Sequence, residues 1–344
     1  LPAWGRIMLA VVVVGQSATP TDAAKRGRQP PELVQERYLQ QDFPFQRAAV
    51  RAVFPEDNVA NKGIAIRLGT NSVLFDTDLL RMAAGWTGGF MTTRGVSFDG
   101  AHGQHPAIHG RQVFGLGRQP GWADRQGSFG DPRKEPFGPL PADWCRWDGI
   151  HVNGMDVVLA YTVHGTKIQE QPSMNGRAFV RTFRIAKNSR KLVLAVCQVD
   201  PGDPEIRVGV SGGKGVQVAT EKGLTTATIP AGYGPATFAV AIGKPGGEGF
   251  AAALRARPGM MDYSRGGPAR WPEPVITKGS LATSTTPDGS YVTDRITPPL
   301  KNPWNRRVRF GGVDFFEDGR SAALSGWDGD VWVVEGIDAD LDEL

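Results

Sequence analysis

The 344-residue sequence contains two cysteines, Cys145 and Cys197, and five histidines. Two cysteines make neither a disulfide framework nor a thiolate zinc site. There is no C-x-x-C-H segment for covalent haem, no P-loop for nucleoside phosphates and no G-x-G-x-x-G opening a helix for a dinucleotide. Dense basic faces interleaved with aromatics are missing too. The net charge of +4 and pI near 9.1 come from cations scattered among acids, as in RQGSFGDPRKEP, which argues against nucleic-acid binding. The apolar run Ile7–Val14 is far shorter than the ~20 residues a membrane-spanning helix needs, so no integral membrane segment is expected.

Glycine and proline are plentiful instead, at 45 and 26 residues, well above the roughly 12% of average usage. Without a collagen period, that excess implies many turns and short strands. Asp-Gly pairs at 99–100, 148–149, 288–289, 318–319 and 328–329 supply residues suited to tight hairpins. At the N-terminus, Arg6, the run Ile7–Val14 and the small residues after it follow the order of a secretory signal. The alternative is a buried strand. Residues 1–24 are taken as a signal remnant, 25–31 as a linker, and the location as secreted or periplasmic. Export would permit a Cys145–Cys197 bridge. Cys197 lies in KLVLAVCQV, however, where a free thiol often fills a small apolar space, and the pairing stays open.

Along the chain, PPELVQERYLQQ reads as a short helix with Pro31 at its first position. GIAIRLGTNSVLFDTDLL reads as a strand pair around a Gly-Thr-Asn-Ser turn. Residues 92–150 are dense in Gly, Pro, His and Trp with little periodicity, and read as one long irregular insertion. From His151 onward, HVNGMDVVLAYTVHGTKIQEQP, GRAFVRTFRIA, KLVLAVCQV, GVQVATEKGLTTATIPAG and ATFAVAIG are strands at short spacing, the pattern of an antiparallel sandwich or barrel. EGFAAALRAR is a helix, 271–305 a linker, and 306–344 reads as three strands joined by Asp-Gly turns. The fold expected is mainly β. An antiparallel β-sandwich-like domain over 32–270 carries the insertion at 92–150, and one orphan β-propeller-type blade lies at the C-terminus. A single blade cannot bury both faces, so its neighbours should lie beyond Leu344.

The chemistry-bearing residues concentrate in the insertion. His102, His105 and His109 fall within eight positions, and Asp99 precedes them. Imidazoles at this spacing can chelate zinc or copper. Gly103 and Pro106 exclude the helix of a H-E-x-x-H site, and the same side chains could instead line a binding site or hydrogen-bond loop backbone. Trp86 and Trp122 could stack on sugar rings, with Asp124 adding hydrogen bonds, or seal a core under the loops. Asp76 and Asp78 could share a strand face, but a glycosidase needs two carboxylates at a defined separation, which spacing cannot give. Ser211 in GVSGG matches G-x-S-x-G, yet a turn and strand follow it rather than the helix of a nucleophile elbow.

Several stretches together, NKGIAIRLGTNSVLFDTDLLRMAAGWTGGF, RGVSFDGAHGQHPAIHG, PGWAD, FGPLPADW and VVLAYTVHGTKIQEQP, resemble an uncharacterised domain of large secreted bacterial proteins. In those proteins the domain precedes a β-propeller similar to glucose/sorbosone dehydrogenases, often followed by c-type cytochrome segments. NPWNRRVRFGGVDFFEDGRSAALSGWDGDVWVV is similar to the start of that propeller. The resemblance covers roughly 32–335 and brings no established activity. It implies an exported protein acting on carbohydrate, with propeller and cytochrome domains downstream in the same polypeptide. The function expected of this chain is therefore a noncatalytic, carbohydrate-binding or scaffolding module without its own cofactor. The alternative is the N-terminal part of a secreted sugar oxidoreductase whose quinone or haem lies in the C-terminal region beyond residue 344. Ligand contacts are expected from Trp86, Asp99, His102, His105, His109, Trp122 and Asp124, and the three histidines are also the metal candidates.

Overall fold

The computed structural model describes residues 43–92, 106–135, 137–199, 205–282, 292–304, 306, 308–326 and 329–344. The expected signal, the helix over PPELVQERYLQQ, and Asp99, His102 and His105 lie outside them. The described residues as far as Pro268 form one compact unit, and Ala269–Leu344 belongs to a second.

Among the described residues, the first unit is built from sixteen strands. They are β1 (Phe45–Arg51), β2 (Val59–Leu68), β3 (Asn71–Asp76), β4 (Arg81–Thr87), β5 (Met91–Thr92), β6 (Ala107–Ile108), β7 (Arg111–Gly115), β8 (Cys145–Asn153), β9 (Asp156–Val163), β10 (Thr166–Asn175), β11 (Ala178–Ile185), β12 (Leu192–Val199), β13 (Arg207–Ser211), β14 (Gln217–Glu221), β15 (Leu224–Ile229) and β16 (Ala236–Gly243). Ten form one sheet, in the order β14-β15-β12-β7-β4-β3-β2-β1-β6-β5, and six form the other, β13-β16-β11-β10-β9-β8. Apart from a parallel bridge between β1 and β6, the pairings are antiparallel. The mainly β, sandwich-like fold is thus present. The single helix among the described residues, α1 (Phe250–Arg255), packs Phe250 and Ala253 against Ala178 and Ala241.

The strands form where apolar residues alternate with polar ones, and their turns carry residues able to take positive φ. Val163 pairs with Thr166, leaving a two-residue loop in which His164 (φ 47°) and Gly165 (φ 80°) are both left-handed. That is the geometry a type I′ hairpin requires, and it matches the right-handed twist of β9 and β10.

The main core fills the space between the sheets. Ile64, Ile66, Phe75 and Phe114 from the larger sheet meet Leu159, Tyr161, Phe179 and Phe183 from the smaller. Phe114 meets Phe179 edge-on with ring centroids 5.3 Å apart, and Phe75 stacks on Tyr161 at 5.8 Å. The Phe114 ring lies where a side chain on Gly85 would be, with its nearest atom 2.1 Å from an added Cβ, so β4 and β7 can pair only with glycine there. A second core lies on the other face of the larger sheet, where Val50, Ala65, Leu74, Met91 and Ile108 enclose Trp86.

The insertion over 92–150 departs from the expectation of one continuous irregular excursion. β7 runs through it as an interior strand of the ten-stranded sheet, and β8 opens the six-stranded sheet at Cys145. The irregular part, 116–144, is fastened to the sheets. Trp122 bridges Leu194 of β12, Gly121 N donates to Leu79 O (2.8 Å) and Gly138 N donates to Asp78 Oδ2 (2.8 Å).

The second unit holds a three-stranded antiparallel sheet, β17 (Phe310–Phe315), β18 (Ala322–Gly326) and β19 (Val331–Val334), in that order. Val313, Leu324 and Trp332 pair across it and share one face.

Candidate functional site

The flagged tryptophans are both fully buried, Trp86 in the second core and Trp122 in the main one. Trp122 meets Tyr161 and Phe183 at 6.3 Å each. Neither indole presents a face to solvent, so both act as core packing rather than as stacking platforms. His109 is exposed at the start of β7, and its backbone N–H donates to Phe90 O. Asp124 is half-buried and caps its own turn, with Oδ1 accepting from Gln126 N (2.9 Å) and Ser128 N (2.8 Å). The structure therefore does not gather Trp86, His109, Trp122 and Asp124 at one place. Among the described residues, no group of three or more His, Cys, Asp or Glu could hold a metal ion.

The other sequence candidates are architectural. Asp76 pairs with Arg81 (3.2 Å) and Asp78 accepts from Gly138 N, so the two carboxylates are tied to separate partners. Ser211 ends β13 and donates to Ala256 O, with no elbow around it. Cys145 and Cys197 are both free and buried. Burial holds the Cys145 thiol far above its usual range and pushes Cys197 up to about 12, so neither is a thiolate nucleophile at neutral pH.

Two buried charge networks that the sequence did not reveal organise the first unit. Arg81, fully buried, donates from Nε to Asp76 Oδ2 and from Nη2 to Val59 O (3.0 Å). Its Nη1 reaches Asn58 Oδ1 (2.7 Å), Gly117 O (2.8 Å) and Leu116 O. Burial pulls this guanidinium below its ordinary range, against the opposing pull of Asp76. Between the sheets, Glu170 accepts from Arg181 Nε and from the Tyr161 hydroxyl, both at 2.6 Å. Burial works against the Arg181 charge, yet Glu170 leaves it above its usual range. Burial and Glu170 together raise Tyr161 well above its own. The three side chains are at most 1% exposed, too enclosed to meet a substrate.

An accessible concave site lies in the second unit. A cleft of about 740 Å³ is floored by the shared face of β17–β19 and walled by 271–277 and 296–299. Trp271, Trp304 and Trp332, all half-buried, run along it with ring centroids 6.2 and 6.0 Å apart, and Phe310 meets Trp332 edge-on at 6.4 Å. Arg306 covers one face of Trp271 at 4.1 Å and pairs with Asp330 at 2.8 Å, which anchors the row. The polar groups of the cleft are Thr277, Thr297 and the carboxylates of Glu273, Glu335 and Glu343. Such a lining can stack flat or ring-shaped ligands and accept their hydrogen bonds. The sequence reading assigned Trp271 and Trp304 to a linker. The available signal was tryptophan beside proline, in RWPEP and NPWNR, within a segment otherwise poor in aromatics.

No helix among the described residues is long and apolar enough to cross a membrane. Residues 73–170, less than a third of the chain, match a family described as a domain of unknown function (DUF6797). No curated protein matches. Solved structures similar to the chain include the periplasmic domain of Thermotoga maritima YidC, 13% identical with a TM-score of 0.29, covering 54% of this chain and 84% of that one. An active YidC insertase with its first transmembrane domain resolved is 15% identical, TM-score 0.30, with 60% of this chain and 43% of that one covered. YidC from Thermotoga maritima is 14% identical, TM-score 0.24, with coverages of 58% and 51%. At these TM-scores the superpositions establish no shared topology.

Proposed function

We propose that this chain is a noncatalytic binding module of an exported multidomain protein, and that its ligand is carbohydrate held in the tryptophan cleft of the second unit. The observation that carries the reading is the row Trp271–Trp304–Trp332 along an open cleft. Indole faces stack on the apolar C–H faces of sugar rings, carboxylates accept from the sugar hydroxyls, and threonine hydroxyls accept or donate. The role first expected of Trp86 and Trp122 passes to these three residues. Calorimetric titration against a panel of polysaccharides should find a binder, and Trp332→Ala should weaken it by at least about tenfold, the effect of losing one buried aromatic contact. Failure of every polysaccharide to bind would remove the proposal.

A second reading is favoured by the β17–β19 sheet, whose strand β19 exposes Val331 and Val333 with no further strand beside it among the described residues. A propeller blade presents such surfaces to its neighbours. On that reading the chain is the front of a sugar oxidoreductase. The 344 residues would then be inert, while a longer polypeptide would reduce an electron-acceptor dye at the expense of sugar. An inert longer polypeptide, loaded with its quinone and haem, counts against it.

A further inference from the structure

We infer that the carbohydrate of the tryptophan cleft is cationic, an oligosaccharide carrying free amino groups. This rests on the binding role proposed above for the same cleft.

The charged side chains lining the cleft are Glu273, Glu335 and Glu343, all exposed, and no lysine, arginine or histidine is among its described lining residues. The asymmetry is notable on a chain of net charge +4. Arg306, the cation packed against the aromatic row, is buried and already pairs with Asp330. The acidic rim is also held in place. Thr277 N donates to Leu344 O (3.1 Å), Leu344 N returns to Thr277 O (3.0 Å), and Gly279 N donates to Leu341 O (2.7 Å). An added Cβ on Gly336 would come within 2.3 Å of Glu343 O, so the segments bearing Glu335 and Glu343 touch through their backbones. The backbone segments that carry Glu335 and Glu343 thus lie side by side, and both residues line the cleft with the row of half-buried indoles.

An ammonium group on a sugar ring gains from both features. The indole quadrupole attracts a cation over its face, and carboxylates form charge-assisted hydrogen bonds stronger than those to a neutral hydroxyl. A neutral sugar stacks equally well but offers the carboxylates only the weaker bonds of its hydroxyls. A uronate or sulfated sugar meets a rim of its own sign. The cleft should therefore rank amino sugar over neutral sugar over acidic sugar.

The test is calorimetry of the whole 344-residue chain with three oligosaccharides of equal length and linkage, built from glucosamine, glucose and glucuronate, at low and high salt. The glucosamine oligomer should bind at least about tenfold more tightly than the glucose oligomer at ~0.05 M NaCl, and most of that margin should vanish at ~0.5 M, where the Debye length shrinks to a few ångströms. Glu335→Gln with Glu343→Gln should remove the margin, so that the glucosamine and glucose oligomers bind the double variant within about twofold of one another. Both sites are exposed, and an unchanged melting temperature would show that the variant is folded. Equal binding of the glucosamine and glucose oligomers, tighter binding of the glucuronate oligomer, or a margin that survives the double substitution would overturn the inference while leaving the cleft as a sugar site. Absence of binding by all three would overturn both.

Discussion

Glu170→Ala should destabilise the first unit by about 3–5 kcal/mol, because it strands the Arg181 guanidinium in a sealed core. At roughly 2–4 °C per kcal/mol for a body of this size, the melting temperature should drop by about 6–20 °C. The cause is specific. Arg181 is 1% exposed and its Nη2 already lacks a partner among the described residues, so Glu170 is its main compensating group. Replacing the whole network by apolar groups, with Glu170→Leu, Arg181→Met and Tyr161→Phe together, should recover most of the loss, since only the long bond from Arg181 Nη1 to Val196 O (3.4 Å) is then lost without replacement. Denaturant melts of the two variants decide the matter. A single variant as stable as the parent would mean that water reaches the pair. The same network sets an alkaline limit. Burial and the neighbouring Glu170 carboxylate make Tyr161 keep its proton in the fold well above the ordinary tyrosine range. The unfolded chain releases that proton near pH 10, so stability is whole below that pH and declines as pH rises through the folded value.

Arg81→Met should have the larger effect, a loss above about 4 kcal/mol or failure to accumulate as folded protein. Arg81 bonds five acceptors drawn from the start of β2, the end of β3 and the segment after β7. Methionine fills a similar volume but leaves Asp76 buried without its cation and several carbonyls without a donor. Arg81→Lys should rescue little, because a single ammonium cannot span the planar fork of acceptors that the guanidinium satisfies. Soluble yield and urea midpoints of both variants measure this. A lysine variant that melts with the parent would show that charge alone, and not the fork, is what the site requires.

Much of the fold was legible because strand alternation is strong from His151 onward. The row Phe179, Arg181, Phe183 was visible as one strand face, and the His164-Gly165 and Lys222-Gly223 turns mark their hairpins. β7 escaped because RQVFG is five residues with no alternation long enough to read, and β8 because CRWDGIHVN carries a glycine at its bulge. The site residues were harder. Trp86 lies in RMAAGWT, a strand buried on both faces, where alternation carries no information about which side chains meet solvent. That Arg181 belongs inside depended on Glu170 and Tyr161 from two other strands, a coincidence of register that no single segment displays. The tryptophan row of the second unit joins residues up to 61 positions apart, Trp271 to Trp332, and was hidden by the proline-rich composition between them.

The alternating row on β11 also acts as a proofreading device. A one-residue slip of that strand would turn Val180, Thr182 and Arg184 inward in place of Phe179, Arg181 and Phe183, carrying the guanidinium of Arg181 to the far side and leaving Glu170 enclosed without its partner. In a purely hydrophobic row a one-residue slip costs only the burial it loses. Here the misaligned chain is penalised by an orphaned charge, so the correct alignment is selected by what its rivals would have to bury.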